Sequence, residues 1–370
     1  MKKKVKIKDV ALYSKGTQIN GDELLEEAKF DYLNGGIKPS GKWDNANCVA
    51  NTVTISEGGN SCGYVNFMKN PFWCGAHCYF LYDTKIDSKY LYYALKSQQV
   101  RIMKLRSGAC MPNIKKTDLG NFEFVCDDNS IEQKKITHIL DKLECVIEQR
   151  KNEIQVFDEL VKARFVEMFG DITIGNYEYE TRKLGDVSTI GSSHRVFTTE
   201  FVDIGIPFYR GTEIGELANG IKPTEPYYIS EKHYSRLISD DTKPQIGDLL
   251  MPSICNKGQV WMVDTVEPFY YKDGRVLCIS PDRAIFDTKY LEYFMRIKTM
   301  IEYPKLGSGS TFAEFKIFLL KNIDVLIPPR YLQEQFADFV RQADKSKAVI
   351  EKSLKEFETL QASLMQKYFS

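Results

Sequence analysis

The sequence predicts an α+β protein made of two related globular units and two long helices that pair with each other. Three observations predict it. Residues 129–169 and 331–370 each run without Pro or Gly, with apolar positions spaced alternately by three and four. The stretch Asp87-Ser88-Lys89-Tyr90-Leu91 returns two hundred residues later as Asp287-Thr288-Lys289-Tyr290-Leu291. A chain of 370 residues is also long enough for two or three domains with cores of their own.

The first long helix carries start and stop signals. Ser130 is placed as its N-cap, with Gln133 at capping-box spacing. Gly170 closes it, where a positive φ is wanted. Its apolar seam reads Leu140, Leu143, Ile147, Ile154, Phe157, Val161 and Met168. Arg150 and Arg164 interrupt that seam as register-setting polar residues. A period near 3.5 marks a helix that lies along another helix. At roughly 1.5 Å per residue it would be about 60 Å long, too long for the core helix of one compact domain. Its partner follows Pro328-Pro329, which halt a strand. The second seam reads Phe336, Phe339, Ala343, Ser346, Ile350, Ser353, Phe357, Leu360 and Leu364. The simpler alternative is that each helix only caps its own unit; the shared period favours pairing.

Composition narrows the function. No run of about 20 apolar residues is present, and the N-terminal MKKKVKIKDV has no apolar core, so neither a membrane span nor a signal peptide is expected. Nine Cys at irregular spacings read as reduced thiols in a cytoplasm. Lys+Arg and Asp+Glu number 18 and 14 in residues 1–128, 7 and 8 in 129–170, 19 and 22 in 171–330, and 6 and 6 in 331–370. No segment is strongly basic, which argues against tight nonspecific nucleic-acid binding.

The repeat extends beyond one pentapeptide. Each copy opens a short helix and leads into a loop, Leu105-Arg106-Ser107-Gly108 or Leu306-Gly307-Ser308-Gly309, then a strand at 122–125 or 323–327, then a long helix. The helix ends match at the same offset, with Phe157, Leu160 and Phe169 against Phe357, Leu360 and Phe369. A unit this long is a duplicated domain rather than a solenoid repeat. The division expected is a unit at 1–128, a helix at 129–170, a unit at 171–330 and a helix at 331–370. Two equivalent units on a spacer suit a ligand with two separated sites.

In the first unit, residues 5–10 and 50–56 read as strands, separated by a loop rich in Gly, Asn and Lys. A second Gly-rich turn covers 56–64. In the second unit, 207–211, 248–251 and 259–263 read as strands, with loops at 210–213 and 253–258. Glycine lets backbone approach a ligand, while Asn, Ser, Arg and Lys supply donors for phosphates and base edges. The candidates are therefore Lys38, Ser40, Lys42, Ser56, Asn60, Asn113 and Lys115 in the first unit. In the second they are Arg210, Thr212, Ser253, Asn256, Lys257, Ser308 and Thr311. Each loop taken alone is an ordinary surface turn; recurrence in both units is what points to function.

Catalytic patterns are weak. Asn70-Pro71-Phe72-Trp73 resembles an amino-methyltransferase motif but lacks its second Pro, and no Gly-rich cofactor loop precedes it. Pro281-Asp282 with Glu314 and Lys316 imitates a nuclease metal set, with Asp282 in an expected turn. Cys62, Cys74, His77 and Cys78 have poor zinc spacing. No catalytic residue, metal or cofactor is assigned to the chain.

The whole chain resembles the specificity subunit of type I restriction–modification systems. The resemblance lies in the two similar units and in Glu132-Gln133-Lys134-Lys135-Ile136 opening the first long helix. It extends to Asp344-Lys345-Ser346-Lys347 and Ser363-Leu364-Met365-Gln366 in the second helix. SGACMPNIKKTDL at 107–119 and GDLLMPSICNKGQV at 247–260 resemble the family's loops, and 56–63 holds the corresponding place in the first unit. The second unit departs at 309–316, where the pair Pro112-Asn113 has no counterpart.

The resemblance implies a noncatalytic reader of double-stranded DNA with two target-recognition domains related by a pseudo-twofold repeat. Each would read one half of a bipartite target. The long helices would pair antiparallel as a coiled coil, set the half-site spacing and dock two modification (methyltransferase) subunits. Those partners would hold S-adenosylmethionine, and translocase–nuclease subunits would complete restriction. A two-headed protein–protein adaptor remains the main alternative. A standalone enzyme lacks a convincing site, and a fused methyltransferase–nuclease needs more length.

Overall fold

The computed structural model describes residues 2–108, 112–175, 178–238, 243–306 and 313–370. The chain forms two compact units, one of residues 1–153 with 350–370, the other of residues 154–349. Strands and helices of the first unit are β1 (Lys2–Lys6), α1 (Ile7–Val10), β2 (Leu12–Lys15), β3 (Phe30–Leu33), β4 (Gly41–Trp43), β5 (Thr52–Ser56), β6 (Val65–Met68), β7 (Phe72–Cys74), β8 (Cys78–Tyr82), α2 (Ser88–Ser97), α3 (Gln99–Met103), α4 (Lys116–Gly120) and β9 (Glu123–Asp127). Helix α5 (Ser130–Phe169) follows and passes into the second unit. There the elements are β10 (Glu180–Lys183), β11 (Ser188–Gly191), β12 (Phe201–Val202), β13 (Ile206–Tyr209), α6 (Gly211–Ala218), β14 (Tyr227–Ile229), α7 (Glu231–Leu237), β15 (Leu249–Pro252), β16 (Trp261–Met262), β17 (Tyr270–Tyr271), β18 (Val276–Pro281), α8 (Thr288–Glu302), α9 (Ile317–Lys321) and β19 (Asp324–Ile327). Helix α10 (Arg330–Phe369) begins in the second unit and ends in the first.

The duplication is visible strand by strand. The first unit has an antiparallel sheet in the order β2-β8-β5-β6, a sheet β4-β3-β7 whose β3–β7 pair is parallel, and the pair β1-β9. The second has β11-β18-β15-β16, then β12-β14-β13-β17 with β13–β17 parallel, and the pair β10-β19. The second unit adds β12, and α6 lies between the strands matching β3 and β4.

Each core is closed by pieces of both long helices. In the first unit Ile7, Val53, Ile55, Tyr79, Leu91 and Phe124 pack with Ile136 and Leu140 of α5 and with Phe369 of α10. In the second, Leu249, Leu277, Tyr290, Phe294 and Leu326 pack with Val161, Phe165 and Phe169 of α5 and with Phe336 of α10. Tyr90 lies 5.2 Å from Phe369, and Tyr290 lies 4.9 Å from Phe169, centroid to centroid. Burying an aromatic side chain contributes roughly 1.5–3 kcal/mol, so these contacts bind helix to sheet firmly.

Within each unit the two helices run antiparallel. In the second, Lys347 Nζ pairs with Asp158 at 2.5 Å, and Phe336 packs on Phe165 further along, 5.4 Å away. In the first, Lys151 pairs with Glu358 at 2.9 Å, while Leu140 and Phe369 share the core. The pairing expected from the 3.5 period is therefore present in both units.

A buried glutamine starts each long helix. Gln133 accepts from the Asp87 N–H at 3.3 Å and donates to the Asp127 carbonyl at 2.7 Å. Gln333 accepts from the Asp287 N–H at 2.9 Å and donates to the carbonyls of Ile285 and Pro328 at 3.0 and 2.8 Å. Asp87 and Asp287 cap α2 and α8, receiving the N–H groups of Tyr90 and Tyr290 at 2.8 and 3.3 Å. One amide thus joins the long helix, the cap of the short helix and the preceding strand or its exit.

Several sequence expectations are corrected. Asn129, not Ser130, caps α5, its Oδ1 accepting from Ile131 N–H at 2.9 Å; Gln133 turns into the joint instead of closing a capping box. Gly170 does take φ +80°. The stretch read as a strand at 5–10 is split, because Asp9 accepts from Lys6 N–H at 3.1 Å and winds Ile7–Val10 into a helical turn. Leu360, placed in the second seam, is 46% exposed while its neighbour Gln361 is half-buried, because a 3.6-residue turn drifts against a 3.5 repeat; Val161 of the first seam is buried as expected. Arg150 and Arg164 pair with Glu153 and Glu167 of the same helix, at 2.6 and 2.8 Å.

Replacing Gln333, which is fully buried, by Leu strands the Asp287 N–H and the Pro328 carbonyl. We predict a loss of about 1–3 kcal/mol in urea denaturation; a loss below about 0.3 kcal/mol would contradict the role given to this side chain.

Candidate nucleic-acid interface

In the first unit three loops meet at one edge of the sheets. The turn after β5 is held to the loop after β3 by Ser56 and Ser61, whose hydroxyls both donate to the Gly35 carbonyl, Ser61 at 2.5 Å. The same turn is held to residues 112–114 by Gly59 N–H to the Pro112 carbonyl at 3.1 Å and Ile114 N–H to the Glu57 carbonyl at 2.9 Å. Ser107 and Asn113 exchange backbone bonds of 2.9 Å. Gly63 makes the turn possible. It has φ +87°, and a Cβ there would lie 2.8 Å from the Met103 backbone.

Glu57 is the polar centre beneath these loops. Its side chain is 11% exposed, and its carboxylate takes Lys15 Nζ at 2.7 Å, with His77 Nδ1 at 3.4 Å. Its N–H donates to the His77 carbonyl at 2.8 Å. Burial, then the Glu57 charge, pushes the nearby Cys62 thiol up.

The second unit repeats the backbone contacts of the turn, with α6 in place of the loop after the matching strand. Ser253 donates its N–H to the Arg275 carbonyl at 2.9 Å, and its carbonyl accepts from Phe315 N–H at 2.7 Å. The Phe315 bond matches that of Ile114, so the segment lacking the Pro-Asn pair still docks on its neighbouring loop. Gly258, at φ +67°, matches Gly63; a Cβ would lie 2.6 Å from the Arg296 carbonyl oxygen. Arg275 reaches Glu314 at 2.9 Å and ties the turn before β18 to the same segment.

The sequence candidates fall into three groups. Lys38, Ser40, Lys42, Asn60, Asn113, Lys115, Thr212, Asn256 and Lys257 are exposed, and Arg210 is half-buried. Ser56 and Ser253 are 2% and 1% exposed, and their bonds hold loops together. Ser308 and Thr311 lie outside the described residues. Lys42 sits in β4, paired across from Asp31, and not in a loop. Residues 210–213 are not a loop either, since Gly211 opens α6. The spacing of Arg210 and Glu213 is the signal that was available there: Arg210 N–H donates to Glu213 Oε2 at 2.8 Å and closes the first turn. Sequence reasoning also passed over Glu57, and it passed over Phe201 and Tyr227, which stack beside Arg210.

The catalytic look-alikes have structural roles. Phe72 is fully buried in β7. Asp282 accepts from Ala284 N–H at 2.8 Å, and Glu314 is committed to Arg275. Cys74 and Cys78 are buried, and hydrogen bonding to Cys48 and Cys78, together with burial, pushes the Cys74 thiol far up. Among the described residues no cluster of His, Cys, Asp and Glu could hold a metal ion. The eight described cysteines are unbridged. No helix among the described residues is long and apolar enough to cross a membrane.

A duplicated α+β unit, each copy with its own loop cluster and a share of two long antiparallel helices, defines a class of duplicated-domain proteins. Comparison with known proteins gives the family. The profile of the type I restriction modification DNA specificity domain matches residues 2–156 and 176–359, and the chain belongs to that family. A type I specificity subunit of Mycoplasma genitalium is 37% identical over 145 residues, a match covering 38% of this chain and 38% of that relative. The MjaIX specificity subunit of Methanocaldococcus jannaschii is 22% identical over 305 residues, covering 75% of this chain and 68% of the relative. In fold, the chain resembles the crystal structure of a type I restriction–modification S subunit from M. genitalium, with TM-score 0.67, 23% identity, and coverage of 100% and 96%.

The pair Arg210–Glu213 gives a pH prediction. Burial raises the Glu213 carboxyl, but the Arg210 side-chain and backbone bonds outweigh it and leave it below the ordinary 4.5. The pair's stabilisation is therefore complete above pH 4.5 and is lost as pH falls through the lower folded-state value. Glu213→Gln should reduce the stability difference between about pH 6 and about pH 3.5 in denaturant titrations. An unchanged difference would show that this pair does not contribute.

Proposed function

We propose that this chain is the noncatalytic, sequence-reading subunit of a type I restriction–modification assembly. Each unit reads one half of a bipartite double-stranded DNA target through its loop cluster. The long helices dock two modification subunits; these carry S-adenosylmethionine and methylate adenine, and translocase–nuclease subunits join them. The observation that carries the reading is the duplication of the loop cluster: two glycine-anchored edges of equivalent build, presenting exposed Lys, Asn, Ser and Thr.

The reading side chains are Lys38, Ser40, Lys42, Asn60, Asn113 and Lys115 in one unit and Arg210, Thr212, Asn256 and Lys257 in the other. Ser56 and Ser253 shape the loops from beneath. Ser308 and Thr311 extend the second set. A neutral chain is consistent with this, because specificity comes from hydrogen-bond geometry, while charge-driven adhesion can come from partners. The recognition domains correspond to 1–128 and 171–330, with the spacer helices at 129–170 and 331–370.

The test is an exchange of residues 171–330 for the equivalent segment of a relative with a different target. Sequencing the methylated adenines should show one half of the target changed and the other intact. A change in both halves would refute independent reading. Purification with nucleic acid removed that yields only partners without methyltransferase motifs would favour a protein adaptor instead.

A further inference from the structure

We propose that Arg210 reads a guanine in the half-site of the second unit, and that Glu213 and Tyr227 are the residues that position it. The inference rests on the DNA-reading function proposed above and names one base contact within it.

The geometry is that of a guanidinium fixed on two sides. Arg210 Nε and Nη2 donate to Glu213 Oε2 and Oε1 at 3.2 and 2.6 Å, so the lateral edge of the fork is occupied. The Glu213 side chain is only 5% exposed and cannot wander. The Arg210 guanidinium also lies over the Tyr227 ring, 4.5 Å from its centroid. Tyr227 is stacked on Phe201 at 4.6 Å with 7° between the planes. Phe201 packs on Phe208, which is 1% exposed in the core. The result is a column of arginine, tyrosine and phenylalanine rooted in the fold, with the arginine on the outside.

What remains is the terminal edge of the guanidinium, formed by Nη1 and the second proton of Nη2. The Arg210 side chain is 37% exposed. Two parallel donors in one plane match the O6 and N7 acceptors of guanine in the major groove. A phosphate could take the same fork, but phosphate affinity follows charge. Glu213 cancels the charge of Arg210 while leaving these donors in place. The arrangement favours reading over holding. A lysine, with one rotatable point charge and no plane, could not substitute.

The position also fits. Gly211 follows Arg210 and lies against Pro252, which leads into the 253–258 loop; a Cβ on Gly211 would be 3.1 Å from the Pro252 side chain. Arg210 follows β13 as Asn34 follows β3, and in the first unit that place opens the loop pinned by Ser56. Arg210 therefore stands beside the loop cluster of its own unit.

The experiment uses the full-length chain in its methylating complex. Binding is measured to double-stranded DNAs in which each base pair of the mapped target is changed in turn, at two salt concentrations. Arg210→Lys should lower discrimination about 10–100-fold at a single G·C pair of the half-site assigned to the second unit by the domain exchange. The other half-site and the salt dependence should stay as in the wild type. Glu213→Gln and Tyr227→Leu should weaken discrimination at the same base pair by smaller factors. A loss that is uniform over all sequences, with a shallower salt slope, would make Arg210 a phosphate contact and overturn the proposal. An unchanged target in all three variants would overturn it while leaving DNA reading intact. A wild-type complex without sequence preference would sink both.

Discussion

Everything in this fold depends on a buried amide at the root of each long helix. Gln133 and Gln333 are 3% and 0% exposed, and each ties a helix start to a capped short helix and to the segment that precedes it. In a low-dielectric interior such a group stabilises when every bond is made and destabilises when one is missing. That asymmetry fixes where each long helix leaves its unit. Lys89 and Lys289 reinforce the same junctions, Lys89 pairing with Asp141 and Glu144, Lys289 with Glu292 and Asp344. The distal end of each helix is secured by apolar burial, with Phe169 against Tyr290 and Phe369 against Tyr90. Polar fixation at one end and aromatic packing at the other give the helices both direction and grip.

Much of this was legible in the sequence, for reasons that can be named. The long helices are marked by absence of Pro and Gly and by a seam whose period survives over about 40 residues. The duplication is marked because Asp87 and Asp287 both cap helices, a role few residue types fill. Finer placement failed where local signals compete. Asn129 and Ser130 are both good caps, and only packing decides that the helix starts one residue earlier. Leu360 looks like a seam residue but is exposed, because a straight helix does not hold a strict seven-residue repeat.

The loop cluster was legible through its glycines, and the roles of its other residues less so. Gly63 and Gly258 stand where a side chain would strike backbone, and glycine-rich turns announce such places. Ser56 and Ser253 have the composition of ligand-binding residues, yet both are buried, Ser56 fastening through its hydroxyl and Ser253 through its backbone. A sequence lists donors without saying which ones the fold has already used. The same blindness hid Glu57, whose significance comes from Lys15 and His77 lying beside it in space and far from it in the chain. It also hid the stack on Tyr227, because Phe201, Arg210 and Tyr227 are brought together only by the pairing of β12 and β13 with β14.

These parts belong to one design. Rigid sheets present loops, buried side chains hold the loops in shape, and the duplication supplies a second copy of the same device. On the proposed function, this chain chooses the DNA sequence that an assembly acts on. That choice is tested most directly by sequencing methylated adenines in the host with and without this gene. The account predicts that one bipartite, asymmetric methylation motif disappears on deletion and returns on complementation. An identical methylation pattern in both strains, with the remaining subunits expressed, would contradict it.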